Sequence, residues 1–336
     1  MKLSIIDQSP VSAGSTPADA LRQTIGLARL ADRLGYTRYW IAEHHDIPAL
    51  ASPAPEVLIA RLTGETSRIR LGSGGIMLPH YSPLKVAEVF RMLHALAPDR
   101  IDLGVGRAPG GGPLAAFALR RERDEGPIPD DFGDQLVELL AFLHHEFRPQ
   151  HPFSRIGVTP DMPGAPDLWL LGSSLWSAAA AAELGLPYAF AHFIAPEPAP
   201  AALAHYHERF KPSRYLQAPR AIAAVGAVCA ESDSEAERLA SSVRLVRRRI
   251  RTGERGLVPT VEEALRELGP EAVEPAVGPN GWPAYFVGSP TSLKERLTAL
   301  ARAWRLDEVM IVTIVHDHRA RLRSYELLAQ AFGLGS

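Results

Sequence analysis

Cysteine is all but missing from this chain, with Cys229 alone among 336 residues. That excludes an internal disulfide framework and any multi-thiolate zinc or iron-sulfur site, and a reducing cytoplasm is the expected location. Neither sign of charge predominates. With 36 Lys and Arg against 38 Asp and Glu, interspersed along the chain, the net charge is -2. Such a balance leaves no electrostatic footprint for nucleic acid or an anionic membrane surface. The one basic run, 244–251, has helical spacing and reads as a solvated helix face. Long apolar runs are absent too: nothing reaches membrane-spanning length, and Asp7 and Pro10 interrupt the start before a signal-peptide core could form. A soluble, unprocessed protein acting on small molecules is expected.

What is present is a substantial apolar content, 46%, arranged in short runs that alternate with longer amphipathic ones. The pattern predicts strands at 3–6, 39–42, 69–76, 101–105, 168–171, 188–193, 221–228 and 309–315. Helices are predicted at 18–34, 54–66, 84–96, 135–145, 177–184 and 293–304. Thr16-Pro17, Ser52-Pro53, Ser82-Pro83 and Ser289-Pro290 each put a hydroxyl at the helix cap and proline at the first helical position. The hydroxyl accepts an orphan N-H, and proline has none to leave unpaired. Gly35 and Gly185 close their helices. Eight strands alternating with helices imply a (β/α)8 TIM barrel, one domain over 1–336, in preference to an open doubly wound sheet. Insertions interrupt it after strand 4, at 109–131, and before strand 8, at 255–283; the first reads equally as a lid or as a surface excursion.

The unusual residues follow strands. Glu43, His44 and His45 follow the second; Gly74 and Gly75 end the third; Arg107 follows the fourth; Gly172, Ser173 and Ser174 follow the fifth; His192 ends the sixth. Parallel strands would bring these ends to one face, which in a barrel carries the chemistry. An imidazole beside a carboxylate suits proton handling, which singles out His44 as the catalytic candidate. Arg107 offers a planar fork of donors for a phosphate, with an ion pair to Glu88 or Asp102 as the structural alternative. Gly172-Ser173-Ser174 adds hydroxyls and free N-H groups at a helix start. Gly74-Gly75 permits close approach to a flat ligand, or is simply a bulge. Substrate-pocket candidates are Asp7, Trp40, Tyr81 and His192, a mixture that suggests an apolar cavity with a few polar handles. Adjacent histidines on a strand face opposite sides, so His44 and His45 make no metal pair and no metal is expected. Gly104-Val105-Gly106 lacks the third glycine of a dinucleotide fingerprint in register, and no phosphate loop, zinc-protease helix or nucleophile elbow occurs.

In these residues the chain resembles the bacterial luciferase-like, flavin-dependent monooxygenases. Ser4-Ile5-Ile6-Asp7-Gln8-Ser9-Pro10, Trp40-Ile41-Ala42-Glu43-His44-His45, Leu71 to Pro79, Arg100 to Arg107 and Phe286-Val287-Gly288-Ser289-Pro290 carry the likeness, in that order. The resemblance implies a barrel, usually dimeric, binding FMN at the carboxyl ends of its strands. It implies His44 beside the isoalloxazine, Glu43 as a flavin-contacting acid, Gly74-Gly75 as the often cis peptide against the ring, and Glu88 near the flavin pocket. It also implies Arg107, Ser173, Ser174 and Ser177 around the phosphate, although some luciferases have an acid where Ser173 stands. Reduced FMN from a separate NAD(P)H:flavin reductase would react with dioxygen to a C4a-peroxyflavin that oxygenates an organic substrate. Related barrels use the deazaflavin F420 for hydride transfer without oxygen, and others serve as non-catalytic flavin-binding subunits.

Overall fold

The computed structural model describes residues 1–119, 131–269 and 281–335. Its strands are β1 (Lys2–Asp7), β2 (Arg38–Ile41), β3 (Arg70–Met77), β4 (Ile101–Gly106), β5 (Asp167–Gly172), β6 (Tyr188–Ala191), β7 (Ala221–Cys229), β8 (Tyr285–Gly288) and β9 (Glu308–Val312). The helices are α1 (Pro17–Leu34), α2 (Pro55–Thr63), α3 (Pro83–Leu96), α4 (Pro113–Leu119), α5 (Phe132–His144), α6 (Leu175–Leu184), α7 (Ala199–Arg209), α8 (Asp233–Thr252), α9 (Val261–Leu268), α10 (Pro290–Ala303) and α11 (His318–Phe332). β1 to β7 pair in sequence, β9 joins β7 to β1, and every pairing is parallel, so the sheet closes on itself. This is the expected (β/α)8 barrel, formed by β1 to β7 and β9.

The extra strand, β8, lies just beyond the expected insertion at 255–283, where no strand was predicted. Gly226 of β7 is registered with Val312 on one side and Tyr285 on the other, so β8 occupies the edge of β7 beyond the point where β6 ends. Of that insertion, residues 270–280 lie outside the described residues, as do 120–130 of the candidate lid.

Local chemistry sets the helix ends. Thr16 and Asp19 form a reciprocal capping box on α1, and Gly35 closes it at φ 84°. Gly185 closes α6 at φ 61°. Ser82 and Ser289 occupy cap positions without a side-chain bond to the helix. At Ser52-Pro53 the expectation fails: α2 begins at Pro55 after Ala54, the next residue pair along. The basic run is not a solvated face either. Arg244 is buried against Glu237 of its own helix at 2.6 Å, and Arg249 bridges Glu263 and Glu267 at 2.8 Å each, tying α8 to α9.

Inside the barrel, toward the amino ends of the strands, Arg38 is the hub of a buried polar layer. Its Nη1 donates to Asp102 at 2.6 Å and its Nε to Glu308 at 2.9 Å. Asp102 also accepts from Trp40 Nε1 at 2.9 Å and pairs with Arg70. Asp102 is thereby committed at the opposite end of β4 from Arg107. Buried charges tolerate this only when paired and fully hydrogen-bonded, as here.

Candidate active site

At the carboxyl ends of the strands lies a cavity of about 450 Å³, within the usual size range of small-molecule sites. A larger one, about 760 Å³, opens at the amino ends near Asp167 and Arg220. There Arg91 donates to the carbonyls of Leu143, Pro160 and Met162, which makes it a brace for loops. In a parallel barrel the carboxyl-end cavity is where side chains from separate strands converge.

His44, Gly74, Gly75, Arg107, Gly172, Ser173, Ser174 and Ser177 all line that cavity, as do Glu43 and Trp40. The Gly74-Gly75 peptide is cis. A Cβ on Gly75 would fall 2.8 Å from the Gly104 backbone carbonyl oxygen, so that position has no room for a side chain, and one on Gly74 would press at 2.9 Å on the tip of the Ile6 side chain. Arg107 leaves β4 with its guanidinium 4.6 Å above the Trp176 ring. Across from it Gly172 ends β5 and Ser174 caps α6 without spending its hydroxyl on the helix. Ser177 donates to the Ser174 carbonyl at 2.8 Å, and a Cβ on Gly172 would collide with its Oγ at 2.2 Å. A guanidinium, hydroxyls and a helix amino terminus lining one cavity are donors that could hold a phosphate.

Glu43 lines the cavity, but its carboxylate is fully committed. It accepts from His45 Nε2 and the Tyr81 hydroxyl, each at 2.8 Å, and from the Met77 N-H at 3.0 Å. It therefore ties the β2 loop to the end of β3. His45 turns away from the cavity into this cluster, while its backbone N-H bonds the Gly110 carbonyl at 2.8 Å. His44 faces the other way, with Nε2 3.4 Å from the Gln8 amide nitrogen. Its Nδ1 is buried without a partner among the described residues. Enclosure by protein, with a smaller push from His45, holds its pKa down at about 4, so the ring is neutral at physiological pH.

Four expected positions lie elsewhere. Asp7 is fully buried, accepting from Arg321 at 2.6 Å, from the Ser9 N-H at 2.7 Å and from the Tyr39 hydroxyl. Burial alone would raise its pKa, but Arg321 and these hydrogen bonds outweigh it and hold the acid below its ordinary value. Tyr81 is spent on Glu43. His192 is buried behind β6, its Nε2 donating to the Pro283 carbonyl at 3.0 Å, while its neighbours Ala191 and Phe193 line the cavity. Glu88 sits partly exposed on α3, outside the lining. Of the substrate candidates only Trp40 reaches the cavity.

The sequence reading missed Gln8, Phe193, Ile194, Ala224 and Met310, which also line it. Gln8 was findable, as a polar residue one step past the end of β1. The apolar residues carry no signal distinguishing them from core. Among the described residues no group of three or more His, Cys, Asp or Glu could hold a metal ion, and no helix is long and apolar enough to cross a membrane.

Known proteins resemble the chain along nearly its whole length. A family model described as luciferase-like monooxygenase matches residues 1–307. An N-acetyl-S-alkylcysteine monooxygenase of Bacillus subtilis is 37% identical over 338 residues, covering 98% of both chains. The crystal structure of apo-MsnO8 superposes with a TM-score of 0.91 at 49% identity, covering 99% of this chain and 98% of that one. Two more distant structures share the fold. The oxygenating constituent of 3,6-diketocamphane monooxygenase from Pseudomonas putida, in complex with FMN, has a TM-score of 0.71 at 20% identity, covering 98% and 97%. An F420-dependent secondary alcohol dehydrogenase has 0.67 at 14%, covering 98% of each chain.

Proposed function

This chain belongs to the luciferase-like monooxygenase family, and from that premise we propose that it uses reduced FMN and dioxygen to oxygenate a small, largely apolar organic substrate. The observation that carries this reading is one cavity lined together by Arg107, Ser173 and Ser174, by the neutral His44 imidazole and by apolar residues including Phe193, Ile194, Ala224 and Met310. Bound reduced FMN would supply two electrons, so that one oxygen atom enters the substrate and the other leaves as water.

The residues fit that group. Arg107 would pair with its phosphate, and the serine hydroxyls and N-H groups at the start of α6 would complete the cradle. The side-chain-free Gly74-Gly75 surface would accept a flat ring. His44, neutral and at the cavity wall, would donate or accept a proton at Nε2 during oxygen transfer. Phe193, Ile194, Ala224 and Met310 would exclude water and bind the substrate's apolar body. No lining cation other than Arg107 is available among the described residues to hold an acidic substrate. A separate NAD(P)H:flavin reductase would provide the reduced cofactor. Val57 on α2 and Met92 and Leu96 on α3 stand exposed and give the homodimer implied by the family a surface to bury.

Anaerobically reduced FMN mixed with the protein, labelled dioxygen and a panel of apolar ketones, thioethers and aromatics tests the reading. One labelled oxygen atom in a product is expected. Substrate reduction in a parallel mixture supplied with reduced F420 in place of FMN, with hydride passing from the deazaflavin to substrate and no oxygen incorporated, would replace it with the hydride-transfer reading, and flavin binding with no turnover of any substrate would favour a non-catalytic subunit.

A further inference from the structure

We infer that Gln8 is a positioning residue for His44, holding the one ring nitrogen through which that imidazole can exchange a proton with the cavity. The role in turnover rests on the proposed oxygen chemistry; the contact itself does not.

Both side chains line the cavity, and Gln8 is only 7% exposed. His44 Nδ1 is sealed from solvent and lacks a partner among the described residues, which leaves Nε2 as the ring nitrogen in polar contact. Gln8 approaches that nitrogen at 3.4 Å. A long contact of this kind orients a ring without locking it, provided the backbones on both sides are fixed. They are. Asp7 is anchored by Arg321; Ser9 has φ 50° and bonds Thr24 Oγ1 at 2.9 Å; and the Ser9 carbonyl accepts from the Ala51 N-H at 3.0 Å. The next residue, Ser52, accepts from the His44 N-H at 3.0 Å. One short segment, 51–52, therefore clasps the loops carrying Gln8 and His44.

A primary amide suits this place for a chemical reason. By turning over it offers either N-H to a bare imidazole nitrogen or C=O to a protonated one, so it follows the ring through a proton transfer without adding charge. A carboxylate would instead pin the proton on the ring. Among the described residues, the other ionisable groups around His44 are Glu43 and His45 in its own loop and Arg107 in the cavity, and all remain in the variants below.

The test uses ligand-free protein labelled with 15N in histidine, the His44 signals being assigned by their loss in His44→Asn. In Gln8→Glu the His44 titration midpoint should rise by about one pH unit or more, roughly tenfold in proton affinity. In Gln8→Met the Nε2 resonance should shift while the midpoint stays low. With reduced FMN, dioxygen and substrate, Gln8→Met should lower product formed per oxygen consumed by roughly threefold to tenfold, with FMN affinity kept within about twofold. Should Gln8→Glu fail to fold, Gln8→Asn, one carbon too short, should give the Gln8→Met result. Unchanged His44 resonances and midpoint would overturn the contact, and altered resonances with unchanged coupling would overturn the positioning role. If the wild-type chain turns over nothing with FMN, the proposed function fails, and the spectra still decide whether Gln8 holds the ring.

Discussion

Asp7→Ala should destabilise the fold by about 3–5 kcal/mol, because it strands a fully buried guanidinium. Asp7 ends β1 and Arg321 lies in α11, so the pair joins the first strand of the barrel to its last helix; Tyr39 adds a hydroxyl from β2. Arg321 also donates from Nε to the Thr313 carbonyl at 2.9 Å, while its Nη1 has no partner among the described residues. Removing the acid leaves the cation with that single bond in a dry setting. Against a typical total of about 5–15 kcal/mol the loss would be obvious in urea denaturation. A companion Asp7→Leu, Arg321→Met double variant should recover most of it, since removing both charges removes the desolvation cost as well. A loss below about 1 kcal/mol for Asp7→Ala would contradict the assignment. The pH dependence has a fixed sign. The folded-state pKa of Asp7 is depressed, so its contribution is complete above the ordinary carboxylate value and disappears as pH falls through the folded-state value.

His44→Ala should lower product formation by about 10²–10⁴-fold while leaving FMN affinity within about threefold. The separation is expected because the proposed phosphate contacts come from Arg107 and the start of α6, whereas His44 is carried by the loop after β2. Oxygen consumption should persist and appear as hydrogen peroxide. Stopped-flow oxidation of reduced flavin, with peroxide and product measured in parallel, checks it. Full coupled turnover in the variant would remove His44 from the chemistry. Loss of FMN binding would make it a cofactor contact instead.

How much of this was readable in the chain depended on the length scale of the signal. The barrel was legible because alternation of apolar runs and capped helices repeats along the chain, and errors in single elements do not change the count by much. β8 escaped because Tyr285–Gly288 is only four residues long and follows a glycine- and proline-rich stretch. Its neighbour motif Gly288-Ser289-Pro290 was legible as a helix start and as part of the family likeness, not as the end of a strand. Residues at strand ends were legible as a set, since parallel strands must deliver them to one rim. Which side each faces was not. Asp7 and Gln8 are adjacent, yet one is spent closing the barrel and the other reaches the cavity, because successive residues of extended chain point opposite ways. The same parity explains His44 against His45, and His192 against its flanking Ala191 and Phe193. Ser52-Pro53 misled because a second proline, in Ala54-Pro55, follows at once and is the one that opens the helix. The basic run misled because its acidic partners, Glu263 and Glu267, lie on another helix and are invisible to spacing within one segment.

The central claim is that a phosphorylated flavin sits in the carboxyl-end cavity with its phosphate on Arg107. Equilibrium binding of FMN and riboflavin to the wild-type chain and to Arg107→Ala addresses it directly. FMN should bind wild type about tenfold to a hundredfold more tightly than riboflavin, and Arg107→Ala should erase most of that difference while leaving riboflavin affinity nearly unchanged. Equal affinities for the two flavins in wild type, or an FMN preference that survives Arg107→Ala, would contradict the account.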